Sequence, residues 1–125
     1  MAKFLVCDIC GNIVGMVKDM GGPLSCCGKA MTVLEPNTVE ASQEKHLPDI
    51  KKSERCLCVR VGSTLHPMDE EHYIDFVFVK TTKGGHRVKL ETGGSPEAEF
   101  CFAEGDEPLE VYAYCNLHGI WKTVV

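Results

Sequence analysis

Four of the eight cysteines in this chain fall in its first 36 residues, as Cys7-Asp8-Ile9-Cys10-Gly11 and then as the adjacent pair Cys26-Cys27. The segment that carries them has only short apolar runs, Phe4-Leu5-Val6 and Ile13-Val14-Gly15-Met16-Val17, followed by a Gly21-Gly22-Pro23 turn. These read as short strands joined by tight turns. So few residues cannot bury enough apolar area to offset a chain entropy of about 1–2 kcal/mol per residue. A staple is required, and the cysteines are there to supply it. In a C-x-x-C knuckle two thiolates face one metal ion while backbone N–H groups of the turn bond to the sulfurs, and Gly11 provides the unusual backbone angles. Four thiolates make a tetrahedral site for zinc or for a single iron. Neighbouring residues cannot both sit in a relaxed knuckle, so Cys26 and Cys27 predict a distorted tetrahedron. A zinc ribbon would use a second C-x-x-C here, and disulfides are the other alternative; spacing alone leaves iron and zinc open.

Composition favours metal or redox chemistry over disulfides. The start of the chain is too short in apolar length for a signal peptide. No apolar run approaches the roughly 20 residues of a membrane span. The expected location is the cytoplasm, where many cysteines signify metal or redox chemistry. Hydrophobic residues at 44% and charged residues at 25% are those of a soluble globular protein. With 13 basic and 18 acidic residues, the net charge of −5 argues against a nucleic-acid surface.

That charge is unevenly distributed. Residues 1–36 are neutral, with Lys3, Lys18 and Lys29 against Asp8, Asp19 and Glu35, so the whole excess lies in residues 37–125. Glu35-Pro36-Asn37-Thr38 marks a boundary between a domain of residues 1–36 and one of residues 37–125. Beyond it the apolar pattern has period two. Ile74, Phe76 and Phe78 are expected on one strand face, with Tyr73, Asp75, Val77 and Val79 on the other. Ala98, Phe100 and Phe102 alternate likewise, as do Val111, Ala113 and Cys115. Residues 38–43, 55–61, 86–90 and 119–124 complete the strand candidates, and no ten-residue window reads as an amphipathic helix. The expected fold is mainly β, a small metal-stapled domain followed by an immunoglobulin-like antiparallel β-sandwich.

All five histidines lie in the second domain: His46 in Glu44-Lys45-His46-Leu47-Pro48, His66 and His72 flanking Pro67-Met68-Asp69-Glu70-Glu71, His86 in a polar hairpin, and His118 in Cys115-Asn116-Leu117-His118-Gly119. The nearby prolines and glycines put most of them on loops, where a sandwich gathers its functional residues. His86 reads as a solvated hairpin residue. Cys56, Cys58 and Cys101 sit within strand patterns and read as small buried apolar groups, although Cys56 and Cys58 share a face that could bind metal. If His46, His66, His72, His118 and Cys115 serve one ion, five ligands exceed the four of structural zinc. Four imidazoles in a plane with an axial thiolate suit iron with an open sixth position, the mark of a reactive centre.

Together these motifs resemble the desulfoferrodoxin family, the two-iron class of superoxide reductase. The first domain resembles the desulforedoxin module, a rubredoxin-like unit, through Cys7-x-x-Cys10-Gly11-Asn12 and Gly22-Pro23-Leu24-Ser25-Cys26-Cys27-Gly28. The second resembles the family in Asn37-Thr38-Val39-Glu40-Ala41, Glu44-Lys45-His46, His66-Pro67-Met68, Glu71-His72-Tyr73-Ile74 and Cys115-Asn116-Leu117-His118-Gly119. The resemblance implies two mononuclear non-haem irons per chain, one on Cys7, Cys10, Cys26 and Cys27, the other on His46, His66, His72 and His118 with Cys115 axial. It implies that Glu44 ligates the oxidised iron reversibly and that Lys45 attracts the anionic substrate and helps deliver protons. The implied activity is one-electron reduction of superoxide to hydrogen peroxide, a detoxification, with a rubredoxin-like protein as electron donor and a homodimer as the assembly. An electron carrier and a zinc-stapled structural module are the competing expectations.

Overall fold

The computed structural model describes residues 2–39 and 41–125. The chain divides into two compact units, Met1–Glu35 and Pro36–Val125.

In the first unit, β1 (Phe4–Val6) lies between β2 (Ile13–Gly15) and β5 (Thr32–Val33), and β3 (Ser25–Cys26) pairs with β4 (Lys29–Ala30). Among its described hydrophobic residues only Phe4, Leu5 and Cys7 are buried, while Ile9, Val17 and Met20 are exposed. Such a core cannot hold a fold alone, which is the reason for the sulfur staple. Gly15 pairs with Phe4, and a Cβ there would stand 3.2 Å from the Phe4 ring, a tight contact.

The second unit starts with a single helical turn, α1 (Gln43–His46). Seven strands follow: β6 (Pro48–Lys52), β7 (Cys56–Val61), β8 (Ile74–Thr81), β9 (Gly84–Lys89), β10 (Glu97–Cys101), β11 (Pro108–Cys115) and β12 (Gly119–Val124). They form two antiparallel sheets, β10-β7-β6 and β12-β11-β8-β9. Leu57, Val59 and Val61 from one sheet and Ile74, Val77, Val79, Val111, Ala113 and Cys115 from the other fill the core between them. Residues 38–43 form no strand among the described residues: Thr38, Val39 and Ala41 are irregular, and Gln43 opens α1. Asn37 holds this entry segment to β12, with its side chain accepting from Lys122 N at 2.8 Å and donating to Lys122 O at 3.2 Å.

The two expected faces of β8 are corrected by a bulge. Cys115 pairs with Ile74 and Tyr114 with Phe76, so Asp75 is an extra residue. An added residue reverses the in–out phase of a strand. Ile74 therefore joins Val77 and Val79 in the core. Phe76 instead stacks on Tyr114, with ring centroids 5.7 Å apart.

Cys56, Cys58 and Cys101 are not the buried apolar groups that their strand pattern suggested. Leu57, Val59 and Phe100 take the inward positions, so the cysteines point to the outer face, where Cys58 and Cys101 are exposed. Cys56 and Cys101 are cross-strand partners and form a disulfide.

Candidate metal centres

The first centre is assembled by two tight turns. In the knuckle, Gly11 at φ 82° allows its N–H to donate to Cys7 O at 2.9 Å, and Cys10 N–H approaches Cys7 Sγ at 3.4 Å. The adjacent cysteines have a different solution. Cys26 ends β3 and pairs with Lys29, leaving Cys27-Gly28 as a two-residue hairpin loop with φ of 55° and 74°. Positive φ at both loop residues is the requirement of a type I′ turn, usually met by Asn-Gly. Holding Cys27 left-handed costs about 1–2 kcal/mol, and it turns both sulfurs to one point. Cys7, Cys10, Cys26 and Cys27 offer sulfurs all within 4.8 Å of one another, with Cys10 to Cys26 at 3.6 Å and Cys26 to Cys27 at 3.9 Å. A tetrahedral ion with metal–sulfur bonds of about 2.3 Å needs sulfurs about 3.8 Å apart. Without a cation the thiols compete for one negative charge. Backbone N–H groups of Cys10 and Ile9 lower the Cys7 thiol to about 6. Cys27, crowded first by Cys10 and then by Cys26 and Cys7, is pushed up to about 12. The donor set fits a thiophilic ion.

The second centre gathers at one end of the sandwich. His46 ends α1, His66 and His72 lie between β7 and β8, Cys115 closes β11, and His118 lies in the turn to β12. His46, His66, His72 and Cys115 offer donor atoms within 4.8 Å of one another. His118 completes the ring of imidazoles. Neighbouring centroids are 4.7 Å (His46–His66), 4.5 Å (His66–His72), 5.2 Å (His72–His118) and 4.9 Å (His118–His46), while the diagonal His46–His72 is 6.2 Å. Successive planes are 76–87° apart, so the rings stand like blades around a common point. Cys115 Sγ lies 3.9 Å from His118 Nδ1.

Hydrogen bonding fixes which nitrogens face inward. His46 Nδ1 donates to Ser42 O at 2.6 Å, and His66 Nδ1 donates to Pro67 O at 2.7 Å. A carbonyl only accepts, so both neutral rings carry bare lone pairs on Nε2. Those two Nε2 atoms are nevertheless 3.2 Å apart, and His46 Nε2 is 3.1 Å from His118 Nδ1. Lone pairs at that distance repel unless a cation lies between them. Four nitrogens about 2.1 Å from an ion in a square plane are about 3 Å from their neighbours. His72 Nε2 is buried with no hydrogen-bond partner, the condition of a ligand atom reserved for metal. Burial lowers the pKa of His46 and His72 and takes His66 down to about 4, keeping the imidazoles neutral. Burial pushes the Cys115 thiol up, so an adjacent cation is needed to draw off its proton.

The surroundings of these ligands are specific. Trp121 is buried, stacks on His46 with centroids 5.0 Å apart, and donates its indole N–H to His118 O at 3.1 Å. Asn116 ties the His72 segment to the Cys115–His118 turn: its Oδ1 accepts from Tyr73 N at 2.8 Å and its Nδ2 donates to Glu71 O at 2.9 Å. Gly62, at φ 87°, lies against α1; a Cβ there would overlap Thr64 O and stand 2.8 Å from Glu44 O. The roles of Trp121 and Gly62 were missed by sequence reasoning. The chain's one tryptophan, three residues after a C-x-x-H, was the available signal for the first. Glu44 and Lys45 are exposed on α1. The Lys45 ammonium is among the charges that oppose protonation of His46 and His72. The Glu44 backbone carbonyl accepts from Thr64 N at 3.1 Å, and its side chain is outside the close donor group. His86 lies apart from the cluster, 3.4 Å from Asp106.

A sequence model described as desulfoferrodoxin matches residues 38–124, and one described as the desulfoferrodoxin N-terminal domain matches residues 3–34. The chain belongs to the desulfoferrodoxin family. It is 44% identical over 117 residues to the desulfoferrodoxin of Syntrophotalea carbinolica, covering 94% of this chain and 91% of that one. Among solved structures it is similar to the superoxide reductase from Treponema pallidum, with a TM-score of 0.83 and 35% identity over 98% of both chains. It is also similar to a superoxide reductase, described as 1Fe-SOR, from Giardia intestinalis, with a TM-score of 0.54 and 32% identity over 66% of this chain and 97% of that one. The four-sulfur set and the histidine–cysteine set match the two-iron arrangement of desulfoferrodoxin.

Proposed function

We propose that this desulfoferrodoxin-family chain is a superoxide reductase, converting superoxide, one electron and two protons into hydrogen peroxide. The observation that carries the reading is the square of four inward-facing imidazoles beside a buried thiol. In this reading His46, His66, His72, His118 and Cys115 hold the catalytic iron in the domain of residues 37–125. Cys7, Cys10, Cys26 and Cys27 hold the other iron in a desulforedoxin-like domain of residues 1–36. Ferrous iron bound at the histidine site supplies the electron and a Lewis-acid position for the anion.

The chain's own groups set the conditions for that chemistry. Carbonyl acceptors at Ser42 and Pro67 hold His46 and His66 in the tautomer that leaves Nε2 free. The buried Cys115 sulfur, 3.9 Å from His118 Nδ1, would be the one thiolate among the ligands of a bound iron and would make that iron more electron-rich. Trp121 shields the His46 ring from water. Lys45, one residue from His46, attracts the anion against the net charge of −5 and helps deliver protons. Repulsion from distant charges is screened beyond about 8 Å at physiological salt, so a local ammonium governs the final approach. Glu44, exposed on the same helical turn as His46, would supply a carboxylate that could ligate the oxidised iron and exclude other anions.

A rubredoxin-like donor re-reduces the iron, the chain works as a homodimer, and the cytoplasm is its location. The test is anaerobic reaction of the fully reduced, iron-loaded protein with pulsed superoxide. One peroxide formed per histidine-site iron oxidised, with no dioxygen evolved, supports the reading. Dioxygen evolution would indicate dismutation, and absence of iron oxidation would indicate a carrier or structural module.

A further inference from the structure

A second concentration of sulfur lies on the outer face of the three-stranded sheet, on residues that neither centre uses. The β7–β10 register sets Cys56 opposite Cys101 and Cys58 opposite Glu99. The four side chains thus occupy one square of the solvent-facing pleat. Cys56 and Cys101 are joined, whereas Cys58 is a free, exposed thiol. The Glu99 carboxylate links the two rows: Cys58 Sγ lies 3.5 Å from Oε2 and Cys101 Sγ 3.9 Å from Oε1. Donor atoms of Cys56, Glu99 and Cys101 all fall within 4.8 Å of one another.

We propose that, when the Cys56–Cys101 bond is reduced, Cys56, Cys58, Cys101 and Glu99 form a third metal site for a thiophilic divalent ion such as zinc, and that closing the bond expels the ion. Three thiolates and a carboxylate supply the four ligands of tetrahedral zinc, and soft sulfur selects it over magnesium or calcium. Sulfurs around zinc stand about 3.8 Å apart. Directly opposed strand residues have Cβ atoms about 4.5–5.5 Å apart, which suits that spacing once the covalent bond opens. Lys51, the neighbour of Cys58 across the β6–β7 ladder, brings a positive charge toward the anionic cluster. Exposure lets an ion enter without disturbing the core.

The chemistry balances with a dithiol or phosphine as reductant. Two electrons and two protons cleave the S–S bond into two thiols, and the phosphine leaves as its oxide with an oxygen from water. Zinc then displaces three thiol protons. A peroxide reverses the change: the two thiolates of Cys56 and Cys101 give up two electrons and form the S–S bond, peroxide takes those electrons and two protons from solvent to become two waters, and the remaining Cys58 and Glu99 are too few to hold the ion.

The test uses iron-loaded protein, with iron and zinc measured in the same desalted samples. After anaerobic phosphine treatment and exposure to zinc chloride, one zinc per chain is expected beyond the retained iron. Without phosphine no such zinc is expected. Cys58→Ser, a near-isosteric change at an exposed position, and Cys101→Ser should each abolish the uptake. Hydrogen peroxide should release the zinc to a chromophoric chelator as the disulfide re-forms. Equal uptake with and without reductant, uptake matched by lost iron, full uptake by Cys58→Ser, or zinc retained after peroxide would each overturn the proposal. None of these readouts depends on superoxide reduction.

Discussion

Trp121 lies over His46, with ring centroids 5.0 Å apart and planes 30° from parallel, while its indole N–H reaches across to His118 O. One side chain therefore braces two adjacent corners of the imidazole square. Trp121→Phe keeps an aromatic face and removes the donor. Loss of one buried hydrogen bond should destabilise the protein by about 1–3 kcal/mol. The visible absorption of the oxidised histidine site should shift with iron content unchanged. Urea unfolding and absorption spectra check this; an unaltered band would mean that the brace does not reach the metal.

Gly62→Ala tests the support beneath α1. A methyl group there meets the backbone of Thr64, Glu44 and Lys45, and the φ of 87° disfavours any side chain. The helix turn that carries His46 must move. The variant should keep iron at the four-sulfur site and lose it from the histidine site, as measured by iron analysis and by loss of one of the two chromophores.

Lys45→Ala should slow the second-order reaction with superoxide several-fold at low salt and flatten its ionic-strength dependence. The spectrum of the iron sites should be unchanged. Stopped-flow or pulse-radiolysis rates across a salt series decide this; rates equal to the unmodified protein throughout would remove Lys45 from the encounter.

Glu44→Ala should shift the ferric band of the histidine site and leave peroxide formation in place. In its proposed role the Glu44 carboxylate would bind only the oxidised iron, so its loss should affect the resting oxidised state and not the electron transfer itself. Spectra recorded with and without added azide check this, since the variant should bind the anion more readily.

The metal-free protein should lose stability as pH falls from about 6.5 toward 4. His46, His66 and His72 have lowered pKa values in the folded state, His66 to about 4, because burial opposes their charging. The unfolded chain binds protons near pH 6.5. Between those limits it holds more protons than the folded one, so acid favours unfolding, and above about 6.5 these groups add no slope. His66 alone contributes up to about 3 kcal/mol of this change. Urea midpoints at pH 7.5, 6 and 4.5 should decline; a flat series would refute the burial effect.

Motif spacing made both donor sets legible because a metal knuckle is a local object. Cys7 and Cys10 share a turn, as do Cys115 and His118, and sequence records turns well. Six of the seven strands of the second unit were legible from period-two alternation; β6 (Pro48–Lys52) was not, since residues 38–43 carry the strand-like pattern in its place, and two further details were not legible either. The bulge at Asp75 leaves no mark on composition, and it alone decides that Ile74 and not Phe76 joins Val77 in the core. The outward placement of Cys56, Cys58 and Cys101 was misread because cysteine ranks among buried residues by type. Here the Leu57, Val59 and Phe100 positions take precedence. Residues 38–43 alternate like a strand yet end in α1, since the His46 ring must reach the site from a short helical turn.

The two ligand sets differ greatly in how far apart their members lie along the chain. The four sulfurs come from residues 7–27, so their loop can close while most of the polypeptide is still unmade or unfolded. His46 and His118 are separated by 72 positions and meet only when nearly every strand of the sandwich is in register. Ring closure over such a span is entropically more demanding and comes late in assembly. A nascent chain can thus be capped by its first ion long before it has a place for the second, and arrival of the second ion certifies that the sandwich has been completed.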